Sequence, residues 1–212
     1  MKDRIIDLTL PYKSGSPGFE KSSSKTVSKD GWNASTLTFY SHSGTHMDAP
    51  IHFEVSDETI DQIPLDRFVG RAWKIAVPAT SDHLLITPEM IMDQLVDFEE
   101  GDSLLLHTGW SGRVGTPDYR DKLPRVSEAL AEWCVSNKVK MLGVEPPSVA
   151  DVNNLEEVTR IHRILLGNVV IIEGLTNLDQ IREKQVKLIA LPLKIAGGDG
   201  APARVIAMES LE

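Results

Sequence analysis

The sequence alternates short runs typical of β-strands with segments of helical periodicity, and this alternation restricts the fold more than any other feature. Strands are predicted at residues 4–10, 34–40, 72–77, 103–107, 140–144, 169–173 and 188–195, with a last strand after the GGDG segment. Helices are predicted at residues 87–96, 125–137 and 155–166. We therefore expect a mixed α/β fold rather than a helical bundle or a β-sandwich.

Length and composition limit the remaining possibilities. The 212 residues suffice for a large core, so we expect a single domain over residues 1–212. The net charge is −9, and no basic stripe is present to bind a phosphate backbone, which argues against nucleic acid as a partner. No apolar run approaches ~20 residues, so neither membrane insertion nor export is expected. A single cysteine excludes an intramolecular disulfide and suits a cytoplasmic protein.

Three local features complete this outline. Between Pro11 and Trp32 the residues are mostly Lys, Ser, Gly and Pro, so we predict a long mobile loop there. Cys134 falls on the apolar face of the helix at 125–137 and is expected to be a buried thiol. The GGDG segment lacks the spacing of a nucleotide-binding loop, and a tight turn is a better interpretation than an anion cradle.

Three of the six histidines, His42, His46 and His52, lie within the eleven residues HSGTHMDAPIH, together with Asp48. A glycine and a proline in this run argue against one helical face, so we expect a strand end that continues into a tight loop. Imidazole and carboxylate groups without nearby thiolates suit a catalytic Zn, Mn or Fe(II) ion rather than a structural zinc finger. The cluster therefore predicts a metal site.

The segment SHSGTHMDAPIHF resembles the signature of the metal-dependent cyclase family, which includes bacterial kynurenine formamidases (arylformamidases) and isatin hydrolase. Further similar segments follow in family order: IIDLT, LLLHTGW, GVEPPSV, HRILLGNVVIIEGLTNL and LPLKIAGGDGAPARVIA. The resemblance thus covers nearly the whole chain. It implies a swivelling β/β/α domain around a mixed, barrel-like sheet, and homodimers or larger homo-oligomers with sites near the subunit contacts.

The resemblance also implies roles for individual residues. The implied ligands of one or two divalent ions, Zn or Mn, are His42, His46, Asp48, His162 and Glu173. His52 corresponds to the general acid/base of the family. The residues that we expect to contact a small-molecule substrate are Phe19, Trp110 and Ser148.

Two departures from the family pattern concern the substrate pocket. The segment SPGFEKSSS stands where kynurenine formamidases carry a Trp-Pro-Gly-Asp type sequence, which leaves Phe19 as the only aromatic residue of that stretch. Glu145 stands where many members carry the shorter Asp. The substrate is therefore left open between several amide classes.

These residue types can hydrolyse an amide. Asp48 and Glu173 each offer two oxygens, so either can bridge two ions ~3.5 to 4 Å apart. Coordination lowers the pKa of a bound water from about 15.7 toward ~7, and the resulting metal-bound hydroxide can attack a carbonyl. His52, with an ordinary pKa of ~6.5, can pass a proton to the departing nitrogen. We expect a hydrolase of an amide-type C–N bond, in an aryl formamide such as N-formylkynurenine or in a cyclic amide.

Two other functions remain open. His46, Asp48 and His162 are a possible facial triad of an Fe(II) oxygenase, although Glu173 stands where oxoglutarate-dependent oxygenases place an Arg. A non-catalytic binding protein stabilised by its metal is the other alternative. Dependence on O₂ and oxoglutarate would favour the first, and failure to hydrolyse any of a broad panel of amides and esters would favour the second.

Overall fold

A computed structural model describes residues 3–210 and shows a mixed α/β architecture around a barrel-like sheet. The strands are β1 (Asp3–Asp7), β2 (Phe19–Lys25), β3 (Ala34–Phe39), β4 (His46–Asp48), β5 (Val69–Ala76), β6 (Leu85–Ile86), β7 (Ser103–His107), β8 (Arg125–Val126), β9 (Met141–Val144), β10 (Val170–Glu173), β11 (Gln185–Pro192) and β12 (Gly200–Ser210). The helices are α1 (Val27–Asp30), α2 (Asp118–Asp121), α3 (Glu128–Ser136) and α4 (Leu155–Leu165). Short 3-10 turns lie at Pro50–Phe53, Leu65–Phe68, Pro88–Met90, Met92–Gln94, Trp110–Arg113 and Leu178–Gln180.

The eight-stranded main sheet closes on itself. Its order is β1-β12-β11-β5-β7-β9-β10-β4, and a further pairing of β12 with β4 joins seven of these strands into a ring. The pairs β5–β7, β7–β9 and β9–β10 are parallel, whereas the pairs involving β4, β11 or β12 are antiparallel. The ring closes because β12 is long enough to pair with β4 through residues 200–202 and with β11 through residues 203–208.

Strand β7 shows how alternation divides the core into two layers. Leu105 packs inside the barrel, whereas its neighbours Leu104 and Leu106 pack outward against the helices. Leu130 of α3 and Ile161 of α4 belong to this outer layer. Because both faces of the parallel strands are covered, the sequence of β7 is an almost continuous run of apolar residues.

Most of the predicted elements are confirmed. Strand β7 spans the predicted residues 103–107, and β3, β5, β9, β10, β11 and β12 overlap the predicted strands. Helix α4 ends one residue before the predicted boundary, and α3 begins at Glu128 because Ser127 caps it by accepting a hydrogen bond from the N–H of Leu130 (3.1 Å). Cys134 is fully buried, as expected, and burial raises its pKa to about 12.

Two predictions are wrong. Residues 11–32 are not one loop, because they contain β2 and α1, and β2 pairs with β3 as a separate antiparallel ribbon. Residues 87–96 do not form one helix but two 3-10 turns. The side chain of Gln94, the last residue of the second turn, hydrogen-bonds both backbone groups of Ala76 on β5. The predicted turn at GGDG is confirmed, and there the N–H of Gly198 donates to the carbonyl of Ile195. Within residues 3–210, no helix combines the length and the apolar composition that crossing a membrane requires.

Candidate metal centre

Strand β4 brings three of the predicted ligands together. His46 and Asp48 point to one face of this strand, and Met47 between them points into the barrel core. The register places His46 opposite Glu173 on β10, and Asp48 opposite Gly200 on β12. As a result, Nε2 of His46 lies 3.1 Å from Oε2 of Glu173 and 3.6 Å from Oδ1 of Asp48.

Two glycines allow the segment that carries His42 and His46 to lie close to the neighbouring strands β10 and β12. A side chain at Gly174, whose φ is +69°, would collide with the carbonyl of Gly44. A Cβ at Gly200 would lie 2.7 Å from Cε1 of His42. The hydroxyl of Thr45 donates to the carbonyl of Gly174 at 2.6 Å. The loop before β4 therefore packs directly against the end of β10.

His42 and His52 lie on the side of Asp48 nearer the protein surface. Nδ1 of His42 is 2.8 Å from Oδ1 of Asp48. His52 belongs to the 3-10 turn Pro50–Phe53 and stacks on the ring of His42, with ring centroids 3.8 Å apart. Both rings thus lie parallel and next to the same carboxylate.

Helix α4 contributes His162 from more than a hundred residues further along the chain. Nε2 of His162 lies 3.5 Å from Oδ2 of Asp48 and 3.5 Å from Oε1 of Glu173. The ring of Phe53 stacks on the imidazole with centroids 4.4 Å apart. The other four predicted metal ligands are therefore grouped around Asp48.

The hydrogen bonds fix which nitrogen of two histidines is free. Nδ1 of His46 donates to the carbonyl of Gly44 (3.1 Å), and Nδ1 of His162 donates to the carbonyl of Val158 (2.7 Å). A carbonyl only accepts, so each Nε2 is left facing carboxylate oxygens. Among the described residues, Nε2 of His46 and Oδ2 of Asp48 are buried without a hydrogen-bond partner. This arrangement suits a cation between the imidazoles and the carboxylates.

The pKa values of the clustered histidines and carboxylates also indicate that positive charge is stabilised here. Burial lowers the pKa of His42 and His162, but their carboxylate partners outweigh it and raise the values to about 9 and about 10. The pKa of His46 is also raised, since Glu173 and Asp48 outweigh its burial. Burial in turn raises the pKa of Asp48 and Glu173, yet the histidines hold both below their ordinary values. Without an ion, the cluster therefore binds protons in its place.

The donor atoms form two groups that share Asp48. One consists of His42, Asp48 and His52, the other of His46, Asp48 and Glu173, and within each group the ligand atoms lie within 4.8 Å of one another. A carboxylate common to both groups is suited to bridge two ions. His52, which the sequence predicts as the acid/base residue, is thus close enough to His42 and Asp48 to share an ion with them.

The predicted substrate residues have different surroundings. The ring of Phe19 packs against Tyr12 and Phe39. Tyr12 donates a hydrogen bond to the carbonyl of Ser43 (2.5 Å), which lies next to His42 in the loop before β4. Phe19 therefore belongs to an aromatic group beside the cluster.

Ser148 and Trp110 are both buried. Ser148 precedes Val149, whose N–H donates to Oε1 of Glu173 at 2.7 Å, so its segment adjoins the cluster. The ring of Trp110 is 1% exposed, and its indole N–H donates to the carbonyl of Tyr119 at 2.9 Å. That ring is enclosed by protein.

Sequence reasoning missed Asp199. Its Oδ2 lies 3.1 Å from Nε2 of His42 and 3.8 Å from Nδ1 of His52. The residue is part of the GGDG turn, which was interpreted only as a turn, and 157 positions separate it from His42. An acidic residue in a turn is so common that only the barrel closure identifies this one.

Comparison with known proteins identifies the family to which the chain is related. The Cyclase family model, described as "Putative cyclase", matches residues 6–151. The kynurenine formamidase of Salinibacter ruber is 32% identical over 174 residues, which cover 82% of this chain and 79% of the relative. The kynurenine formamidase of Geobacillus thermodenitrificans is 29% identical over 175 residues, which cover 81% and 78%.

A solved structure shares the fold almost throughout. Isatin hydrolase A from Labrenzia aggregata, bound to benzyl benzoate, matches with a TM-score of 0.89 and 27% identity, and the match covers 99% of this chain and 94% of that chain.

Proposed function

Because the chain belongs to the cyclase family and is a metal-dependent hydrolase of non-peptide carbon–nitrogen bonds, we propose that its substrate is an aromatic amide. The two substrate classes are an aryl formamide, such as N-formylkynurenine, and a cyclic amide of the isatin type. Both pair a carbonyl with an aromatic ring, as does the benzyl benzoate bound to the isatin hydrolase relative.

One observation carries the proposal. Nε2 of His46 and Nε2 of His162 face the buried carboxylates of Asp48 and Glu173, while each Nδ1 is occupied by a backbone carbonyl. Imidazole and carboxylate donors in this arrangement fit a divalent ion. We propose Zn or Mn, with one or two ions held by His42, His46, Asp48, His162 and Glu173. When bound, such an ion supplies Lewis-acid activation of water and of the substrate carbonyl.

His52 is the proposed acid/base residue. Burial and the nearby imidazoles of His42 and His162 lower its pKa, with Asp48 and Asp199 opposing, so the ring is neutral near pH 7 and can accept a proton. Its stacking on His42 supports a position at the edge of the proposed metal centre, from which it can move a proton between the attacking water and the departing nitrogen. An amide needs this proton because an amine anion is a poor leaving group.

The aromatic ring of the substrate is proposed to pack against the group formed by Tyr12, Phe19 and Phe39. Their centroids are 4.9 to 5.1 Å apart, and the phenol of Tyr12 is anchored on the loop that carries His42. Aromatic surfaces of this kind bind planar rings with little loss of side-chain entropy. Ser148, beside the segment that contacts Glu173, is the proposed polar contact.

We also propose a homodimer or a larger homo-oligomer. Six of the seven residues of β2 are exposed, and the ribbon region presents Trp32, Leu37 and Tyr40 with 59%, 49% and 61% of their surfaces exposed. A two-stranded ribbon is marginal in water on its own, so packing against a second copy would stabilise it. A cytoplasmic location is proposed as well, which the buried, unpaired Cys134 suits.

The function is tested by measuring metal content together with hydrolysis of N-formyl anilines, isatin-like lactams and aryl esters. We expect Zn or Mn in the purified protein and turnover that a chelator abolishes. Asp48→Asn should lose metal and activity together. His52→Ala should keep its metal and lose roughly 10² to 10⁴-fold in kcat, whereas the control His83→Ala, at an exposed position, should match the wild type.

Three outcomes would contradict the proposal. Full activity in Asp48→Asn would exclude Asp48 as the carboxylate that holds the metal. Loss of metal in His52→Ala would show that His52 is a metal ligand rather than the acid/base residue. A metal-loaded protein that hydrolysed nothing in the panel would fail as a hydrolase of this kind.

A further inference from the structure

Asp199 lies in a turn that the barrel holds in place on two sides. Its carbonyl accepts a hydrogen bond from the N–H of Ala49, directly after β4, at 2.9 Å. The preceding Gly198 accepts from the N–H of Ile60 at 2.9 Å, and the N–H of Gly197 donates to Oδ1 of Asp61 at 3.0 Å. The turn is therefore fixed relative to the strand that carries the metal ligands.

The carboxylate of Asp199 is directed at two imidazoles. Oδ2 lies 3.1 Å from Nε2 of His42 and 3.8 Å from Nδ1 of His52. The two rings are stacked, with 22° between their planes. One oxygen of Asp199 thus faces a nitrogen of each ring.

His42 is held between two carboxylates. Its Nδ1 faces Asp48 and its Nε2 faces Asp199, so each ring nitrogen has a different acidic partner. A histidine that binds a metal through one nitrogen commonly donates its other N–H to a carboxylate, which fixes the tautomer and the ring orientation. His46 and His162 meet this need with backbone carbonyls, whereas His42 meets it with Asp199.

We propose that Asp199 is a positioning residue, which holds His42 with Nδ1 toward the metal and keeps the ring of His52 aligned beside it. The inference rests on the proposed function, because it assigns His42 as a ligand and His52 as the acid/base. It adds that a single carboxylate in the GGDG turn orients both groups. Loss of this carboxylate would therefore disturb metal binding and proton transfer together.

The test uses the full-length chain with Asp199→Ala and Asp199→Asn. The affinity for Zn²⁺ or Mn²⁺ is measured by competition with a chromophoric chelator, and kcat and KM are measured on N-formyl aniline. Asp199→Ala should weaken metal affinity about 10- to 100-fold and lower kcat, with KM near the wild-type value. Asp199→Asn keeps an acceptor oxygen facing His42 and should recover most of the affinity.

Asp61→Ala is the matched control. Asp61 bonds the same turn through Gly197 but contacts neither histidine, and without it the turn keeps its hydrogen bonds from Ala49 and Ile60. Metal affinity should therefore stay within about twofold of the wild type. Wild-type affinity and kcat in Asp199→Ala would overturn the proposal. Equal losses in Asp61→Ala and Asp199→Ala would overturn it too, because the turn rather than the carboxylate would be responsible. If no amide is hydrolysed by the wild type, the proposed function fails, while the affinity measurements still decide the role of Asp199 at His42.

Discussion

Glu145 is a buried carboxylate that serves the backbone around it rather than the metal centre. Its two oxygens accept hydrogen bonds from the N–H and hydroxyl of Thr108, the N–H of Trp110 and the hydroxyl of Ser111. No salt bridge joins it to a cation within residues 3–210. Four donors therefore offset the cost of burying this charge. The longer side chain at this position spans from β9 to the turn after β7.

Removing this carboxylate should destabilise the fold without emptying the metal centre. Glu145→Ala leaves buried donors of Thr108 and Trp110 unpaired, so the free energy of unfolding should fall by about 3 kcal/mol. Urea denaturation measures this loss, and elemental analysis should find wild-type metal content. Glu132→Ala, at an exposed position on α3, serves as the control and should change stability by less than about 0.5 kcal/mol. Loss of metal in Glu145→Ala would instead make the residue part of the site.

The raised histidine pKa values predict that metal binding releases protons. His42 and His162, with pKa values of about 9 and about 10, are protonated at neutral pH in the metal-free protein. Ligation requires the neutral ring, so at least two protons should leave when the metal binds near pH 7.5, because the pKa of His46 is raised as well. Since a raised pKa keeps these protons bound below it, affinity should increase from about pH 6.5 to 9.

Calorimetric titration in buffers of different ionisation enthalpy counts the released protons. His83→Ala, which alters an exposed histidine outside the cluster, should release the same number as the wild type. A heat that is independent of the buffer would contradict the prediction.

At the scale of elements, the sequence predicts the helices and strands in which buried and exposed side chains alternate regularly. Strand β7 and helix α4 are examples, because apolar residues repeat along them at strand and helical spacing. Strand β2 has no buried residue, so its sequence, rich in Lys and Ser, resembles that of a loop. Only pairing with β3 makes it a strand. The turns at 88–94 differ for another reason, since Gln94 bonds the β5 backbone across 18 residues.

The N-terminus of α4 depends on one side chain. Oδ1 of Asn154 accepts a hydrogen bond from the N–H of Glu157 at 3.1 Å, which pairs one of the free donors of the first turn. Asn154→Ala should lower stability by about 1 kcal/mol, and thus the melting temperature by about 2 to 4 °C. Asn154→Asp retains the acceptor and should stay near the wild type by differential scanning calorimetry. Equal losses in both variants would show that the cap is not the cause.

At the scale of the whole molecule, closure of the barrel assembles the candidate site. The cluster HSGTHMDAPIH predicted a metal from local crowding, and the family resemblance supplied His162 and Glu173. The contact of Asp199 with His42 depends on β12 pairing with β4, which no local pattern reports. The proposed ligands therefore come from the loop before β4, from β4 itself, from β10 and from α4, and their geometry is a property of the folded chain.

A site built from such distant segments should link metal binding to global stability. The proposed ligands Asp48, Glu173 and His162 converge in the folded chain and are far apart in sequence, so we expect the ion to bind the folded chain and not the unfolded one. At a free Zn²⁺ or Mn²⁺ concentration of 100 times Kd, folding should gain about 2.7 kcal/mol. For a chain of this length, the melting temperature should then rise by roughly 5 to 10 °C. Thermal denaturation with and without metal measures the shift, and Asp48→Asn should show almost none. An equal rise in Asp48→Asn would mean that the ion binds elsewhere on the surface.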